Sequence, residues 1–302
     1  MTPLVFDRAR VRRRRDSAAS TYDEYSFLKT RVSMDIVDRL DDGPRTFARI
    51  LDIGAHDGAL SRRLRGRAGV EAVIACDLSP AMAARCGAPA FAADEEAMPV
   101  AENAFDLAVS ALALHWVNDL PGALIQINRA LKPDGLFLGA LFGAGTLTEL
   151  RQSLLQAETE ITGGAALRLS PLPGLQDMAG LLQRAGFALP VADVDRVTVR
   201  YADPFVLLRD LKGMGERAAF AEPAGRGLSR RILARMAEIY AERFSDPDGR
   251  VRASFEVVHL SGWAPAPGQP RPLRPGSAKA SLAGAVGAVE RSAGEKAGHG
   301  DG

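Results

Sequence analysis

Leu51-Asp52-Ile53-Gly54-Ala55-His56-Asp57-Gly58 is the stretch on which the fold of this chain turns. Arg49 to Ile53 reads as a short buried strand. The glycines after it permit a tight strand-to-helix turn and let a ligand approach the exposed backbone N–H groups. A dinucleotide fingerprint, G-x-G-x-x-G, needs glycines two and five positions after Gly54. His56 and Ala59 stand there, which disfavours a nicotinamide cofactor. Outward from this turn, Glu71 to Cys76, Phe105 to Ser110 and Leu136 to Phe142 are further apolar runs of strand length. Leu120, Leu124, Ile127 and Leu131 mark one face of a helix between the last two. Strand and helix alternating at this rhythm predict an α/β fold with a mostly parallel sheet covered on both faces.

After Gly145 the rhythm changes. Helices are expected around Leu147 to Ala157, Leu175 to Ala185, Phe205 to Leu211 and Leu228 to Phe244, with strands at Val197 to Tyr201 and Phe255 to Leu260. Before the turn, Tyr22 to Asp41 has helical spacing and ends at Asp42-Gly43-Pro44. The chain thus divides into a basic arm and helical cover over 1–44, a principal domain over 45–263 with a helical cap at about 146–245, and a tail over 264–302. The tail, dominated by Pro, Gly, Ala and Ser, is expected to dock as far as about Leu282 and to be disordered beyond it.

The 302 residues are 47% hydrophobic and 25% charged, enough to bury a core, and no run approaches the length of a membrane helix. With 38 basic and 37 acidic residues the net charge is +1, so no global field favours nucleic acid. Cys76 and Cys86 provide neither a disulfide framework nor a zinc set. Before the tail, no His-x-Asp or His-x-Glu pair starts an iron-binding triad, so no metal site is expected. Arg8, Arg10 and Arg12 to Arg15 form a dense basic run, read here as a solvated arm rather than a transit peptide, since Asp7 and Asp16 bracket it.

The turn resembles D-x-G-x-G-x-G, the first motif of class I S-adenosylmethionine (SAM) methyltransferases, through Asp52, Gly54 and Gly58, with His56 replacing the middle glycine. Cys76-Asp77-Leu78 follows at the distance of an acid that accepts from a ribose, although Asp77 also reads as a cap before Ser79-Pro80. Ala93-Asp94-Glu95-Glu96 corresponds to the acids that such enzymes place against adenine. Asn103 to Ser110 matches their fourth strand, and Leu131-Lys132-Pro133-Asp134-Gly135 the turn before their fifth. The resemblance implies SAM held by Asp52, Gly54, Gly58, Asp77, Leu78, Asp94, Glu95 and Ser110 on a seven-stranded sheet with helical insertions after the fifth strand. His115 and Trp116 lie just beyond the fourth strand, where ligands of open α/β sheets bind. His115 is a candidate base or positioning group, and Trp116 a pocket wall or a packed aromatic.

Beyond the superfamily, the chain resembles the NADH dehydrogenase (complex I) assembly factor 5 family, whose bacterial relatives include proteins labelled malonyl-carrier-protein methyltransferase-like. The resemblance runs through Phe6-Asp7-Arg8, Leu114 to Pro121, Thr146-Leu147, Glu149-Leu150-Arg151, Gly163-Gly164, Arg184 to Phe187, Gly213 to Glu216, Gly262-Trp263 and Gly276-Ser277-Ala278. It implies assembly of complex I and modification, by hydroxylation or methylation, of an arginine in a complex I subunit. The alternatives are a carrier-protein O-methyltransferase of biotin synthesis and a non-catalytic assembly chaperone. Glu149 and Arg151 are expected to face the substrate pocket with His115 and Trp116. Glu149, Glu158, Asp210 and Trp116 are the candidates for receiving a guanidinium. The motif's start at Phe6 points to a bacterial cytoplasmic protein, with peripheral membrane association among its expected contacts.

Overall fold

In the computed structural model, which describes residues 4–41, 43–87, 89–222, 227–270 and 287, a seven-stranded sheet runs in the order β3-β2-β1-β4-β5-β7-β6. The strands are β1 (Arg49–Ile53), β2 (Ala72–Asp77), β3 (Ala90–Ala92), β4 (Phe105–Ala111), β5 (Leu131–Phe142), β6 (Ala188–Tyr201) and β7 (Val251–Trp263). β1 to β5 are parallel, and β7 inserts antiparallel between β5 and β6. The order reverses between β1 and β4, so the loops leaving those two strands bracket the crevice where open sheets bind ligands. Parallel strands are covered on both faces, which is why β1 and β4 read as continuous apolar runs rather than alternating ones.

The helices are α1 (Arg8–Ala18), α2 (Phe27–Asp41), α3 (Ala59–Arg65), α4 (Pro80–Arg85), α5 (Leu120–Ala130), α6 (Thr148–Thr162), α7 (Leu175–Arg184), α8 (Pro204–Gly213) and α9 (Arg230–Phe244). One sheet face packs on Leu28, Val32 and Ile36 of α2 and on the cap helices α6, α8 and α9 through Leu150, Leu154, Leu207, Met236 and Ile239. The other packs on α5 and α7 through Leu124, Ile127, Met178 and Leu182. These residues recur at three- and four-residue spacing, as a buried helix stripe requires.

Several elements differ from the sequence reading. The expected helix from Tyr22 starts at Phe27, because Ala19–Glu24 forms a 3-10 turn that buries Tyr22. β3 is only three residues long and carries too little apolar pattern to be read. β5 begins at Leu131, with an irregularity in its pairing to β4 between Phe105 and Leu107. β6 starts at Ala188, nine residues before the alternation that betrays it. The basic arm is a helix rather than a solvated segment: Asp7 caps α1 at the Arg10 amide, and Arg15 is 2% exposed. The chain through Ala266 forms one compact unit. Ala264, at the start of the tail, is buried, and the tail positions 271–282, including Gly276 to Ala278, lie outside the described residues.

Gly54 adopts φ +64°, and a Cβ there would collide with the Cβ of Ala113 on the neighbouring loop. Gly54→Ala therefore combines left-handed strain with overpacking and should lower stability by about 3 kcal/mol. Thermal unfolding should shift down by roughly 6–12 °C. An unchanged midpoint would mean the loop is not held as described.

Candidate active site at the carboxyl edge of the sheet

The turn after β1 is a dense polar node. Asp52 is fully buried, and its Oδ2 accepts the Ser61 hydroxyl proton at 2.6 Å, tying the strand to α3. Burial pushes its carboxyl pKa up against the pull of Lys29 and Ser61. Gly58 lies against α4, where a Cβ would sit 2.6 Å from the Cys86 Cα. His56 takes φ +51°, a left-handed position that histidine tolerates better than most residues, so the loop keeps its shape without the middle glycine. The imidazole turns inward, 1% exposed, and stacks on Tyr22 with ring centroids 5.4 Å apart.

Asp77, at the end of β2, is also fully buried. Its Oδ2 accepts from the His56 amide at 3.0 Å and its Oδ1 from the Ser79 amide at 2.8 Å. The helix cap at α4 is Ser79 itself, through its hydroxyl on the Met82 amide, so Asp77 is not that cap. Both Asp77 oxygens also face Arg15 Nη1, at 3.3 and 3.4 Å, and the same nitrogen donates to Glu95 Oε1 at 2.8 Å. Arg8 donates to Asp94 Oδ1 at 2.7 Å and to Glu95, and lies 3.6 Å from Glu96. Burial works against the charge of Arg15, but Asp77 and Glu95 outweigh it and hold its pKa above the ordinary value. Lys29, on α2, reaches the carbonyl oxygens of Gly54 and Ala111, each at 2.6 Å, and His56 Nδ1 at 2.7 Å. Burial drives its pKa down. Leu78 packs near Phe6 and Trp116 rather than on this node.

These acceptors form a set with a definite chemistry. Two carbonyls at the ends of β1 and β4 suit an ammonium, the Asp77 carboxylate suits a diol, and Asp94 with Glu95 suits an exocyclic amine. Arg15 Nη2, Asp52 Oδ1, Ser110 Oγ and His115 Nδ1 are buried without partners, so polar capacity remains at this edge. The residues present therefore fit SAM, with Lys29 and Arg15 holding its acceptors in this structure. No cluster of metal-binding side chains occurs among the described residues.

Beside the node lies a cavity of about 310 Å³ between the sheet edge and the cap. Its walls are largely apolar, with Phe142, Leu150, Leu154, Leu208, Leu211 and Phe255, and its polar groups include His115, Arg151 and Glu216. His115 Nε2 and Trp116 Nε1 both meet Glu216 Oε2, at 3.0 and 2.8 Å. Trp116 also packs edge-on against Phe6. Glu216 lines a second, small cavity with Tyr22 and Lys29, so it stands between the node and the large cavity. Asn118 pins the N-terminal strap by accepting from the Val5 and Phe6 amides, and Asp119 caps α5.

Of the four residues expected to receive a guanidinium, only Trp116 lines the cavity. Glu149 accepts from the Ser254 amide and hydroxyl, fastening α6 to β7, and so does not face the pocket with Arg151 as expected. Glu158 is paired with Arg168, and Asp210 on α8 is not among the residues that line the cavity. Arg151 lines the cavity, and its Nε is buried without a partner. Sequence reasoning missed Lys29, Arg15, Arg8 and Glu216 as site residues. Lys29 carried a signal, being a lysine flanked by Leu28 and Val32 of the apolar face of α2.

A methyltransferase-domain family model matches residues 51–139. The YcgJ protein of Bacillus subtilis superposes with a TM-score of 0.54 at 15% identity, over 78% of this chain and 98% of that one. Strand order, loop and matched domain define a protein of the class I SAM methyltransferase fold. Mitochondrial arginine-hydroxylase NDUFAF5 of Danio rerio is 40% identical over 286 residues, 92% of this chain and 88% of that protein. Malonyl-[acyl-carrier protein] O-methyltransferase of Halorhodospira halophila is 37% identical over 267 residues, covering 85% and 88%. The chain belongs to the NDUFAF5 family.

His56 gives the site a pH signature. Burial first, then Lys29 and Arg15, holds its pKa well below the ordinary value. The unfolded chain protonates at about pH 6.5, whereas the folded imidazole stays neutral. Stability conferred above that pH is therefore lost as pH falls below it, by up to about 1.4 kcal/mol per unit. In denaturant titrations between about pH 7.5 and 5.5, His56→Gln should flatten this decline, leaving the smaller contribution of His259. An unchanged slope would show that His56 titrates alike in both states.

Proposed function

We propose that this protein binds SAM at the β1–β2 node and acts in the assembly of respiratory complex I by modifying an arginine side chain of a protein substrate. The observation that carries this reading is Glu216, a carboxylate fixed by two side-chain donors between the cofactor node and an apolar cavity. An entering guanidinium would find there the counter-charge that a desolvated cation requires, while its methylene stem packs on leucine and phenylalanine. The similarity to NDUFAF5 extends through the cap that builds this cavity, which supports an arginine substrate over the small molecules of generic methyltransferases. SAM supplies an electrophilic methyl group when bound. The chain's own contribution is to bind the cofactor through Asp77, Gly54 and Ala111, to orient the substrate with Glu216, His115 and Trp116, and to exclude water with the cap.

A second reading has one observation in its favour. Arg151 has no carboxylate partner among the described residues, and an unpaired arginine in an apolar cavity suits a substrate carboxylate. That is the chemistry of a carrier-protein O-methyltransferase, the activity named for the Halorhodospira relative.

Deletion of the gene should lower NADH:quinone oxidoreductase activity while succinate oxidation stays intact. Mass spectrometry of complex I subunits from the deletion strain should reveal loss of one arginine modification. A missing oxygen identifies hydroxylation and a missing methylene identifies methylation. Complementation with Glu216→Gln should leave the arginine at least tenfold less modified, since a charge-assisted hydrogen bond contributes about 1.5–3 kcal/mol. Unchanged complex I activity with biotin auxotrophy would favour the carrier-protein reading. Defective complex I with unaltered arginines would indicate a chaperone.

A further inference from the structure

We propose that the N-terminal helices carry a built-in competitor for the cofactor node: Lys29 and Arg15 occupy the acceptors that an S-adenosyl ligand needs, and binding must displace them. This inference rests on the cofactor reading above, and adds that the site is self-occupied in the free protein.

The positions of the three N-terminal cations carry the argument. Lys29 is 3% exposed and spends its nitrogen on the carbonyls of Gly54 and Ala111, the pair of acceptors that the ends of β1 and β4 offer to any ammonium. Arg15 Nη1 faces both Asp77 oxygens, whose other partners are the His56 and Ser79 amides. Arg8 binds Asp94 and Glu95 and approaches Glu96, the acids beside β3. Every acceptor assigned to a ligand ammonium, diol or amine thus faces a cation of the chain itself. A buried lysine and arginine are costly unless so satisfied, hence these groups are held by the same hydrogen bonds that a ligand would claim.

The other ties of the segment are largely polar and lie at its edges: Arg10 and Arg14 reach the carbonyls of Phe220, Arg217 and Ala218, and Asp16 accepts from the Ser79 hydroxyl. α1 buries only Val11 and Ala18 as apolar side chains, and Ala19–Glu24, a 3-10 turn, joins it to α2. The charge cluster is one part of its hold on the body, so a ligand that takes over the acids loosens the helix at that point. Apparent affinity is then the intrinsic affinity scaled by the fraction of molecules whose node is open.

The test uses S-adenosylhomocysteine and the full chain. Calorimetry should show Lys29→Met binding this ligand at least about tenfold more tightly than the unmodified protein, since an open fraction below one tenth imposes that factor. In the unmodified protein, hydrogen exchange of the amides of residues 8–24 should quicken when S-adenosylhomocysteine is bound, a readout that needs no variant to fold. Equal or weaker binding by Lys29→Met, or slower or unchanged exchange in that segment, overturns the inference while leaving the cofactor reading intact. No binding by either protein overturns both.

Discussion

The buried contact of Arg15 with Asp77 and Glu95 is the interaction on which the arrangement of this molecule's carboxyl edge depends. Asp77 ends β2, Glu95 follows β3 and Arg15 comes from the first helix, so one guanidinium joins these two neighbouring strands to a segment more than sixty residues earlier. Two acids removed from water at such short range are tolerable only with both Arg15 and Arg8 in place, because losing any member leaves an uncompensated charge. With Arg15 in place, Tyr22 lies over His56, Lys29 reaches Gly54, and α2 can lay Leu28, Val32 and Ile36 on the sheet.

The second organising constraint is the cap. Glu149 fastens α6 to Ser254 of β7, and Gly145 and Thr146 hydrogen-bond to Glu256 of the same strand. The cavity therefore has a wall tied to the sheet, with Glu216 brought in from the segment after α8. On the proposed reading this separates two jobs along the edge: a hydrogen-bonding node for the cofactor, and an apolar chamber with few polar groups for the substrate. The carboxylate held by His115 and Trp116 is where the two meet, and on the proposed reading it receives the substrate cation.

Much of this was legible in the sequence where the signal is local. The strand-turn-helix around Gly54 declares itself through glycine spacing, and Asp77 through its distance from Asp52, because each depends on a few neighbouring residues. The parallel sheet followed from apolar runs alternating with helical stripes. Long-range pairing was not legible. A run of six arginines looks the same whether water or Asp77, Asp94 and Glu95 neutralise it, and only the fold brings those acids within reach. For the same reason Glu149 and Glu158 looked available for a substrate, whereas Ser254 and Arg168 already engage them. Glu216 lay in a quoted family motif, yet nothing nearby in sequence indicated that His115 and Trp116, about a hundred residues earlier, would converge on it.

The account is tested most directly by a double-mutant cycle on Arg15→Met and Glu95→Gln, followed by equilibrium unfolding in denaturant. Each single substitution unbalances the buried charge cluster and should cost about 3–5 kcal/mol. The double variant should cost less than their sum by at least about 2 kcal/mol, the coupling expected of residues in one network. Additivity within about 0.5 kcal/mol would contradict the account, since it would mean that the first helix is seated by something other than this ion pair.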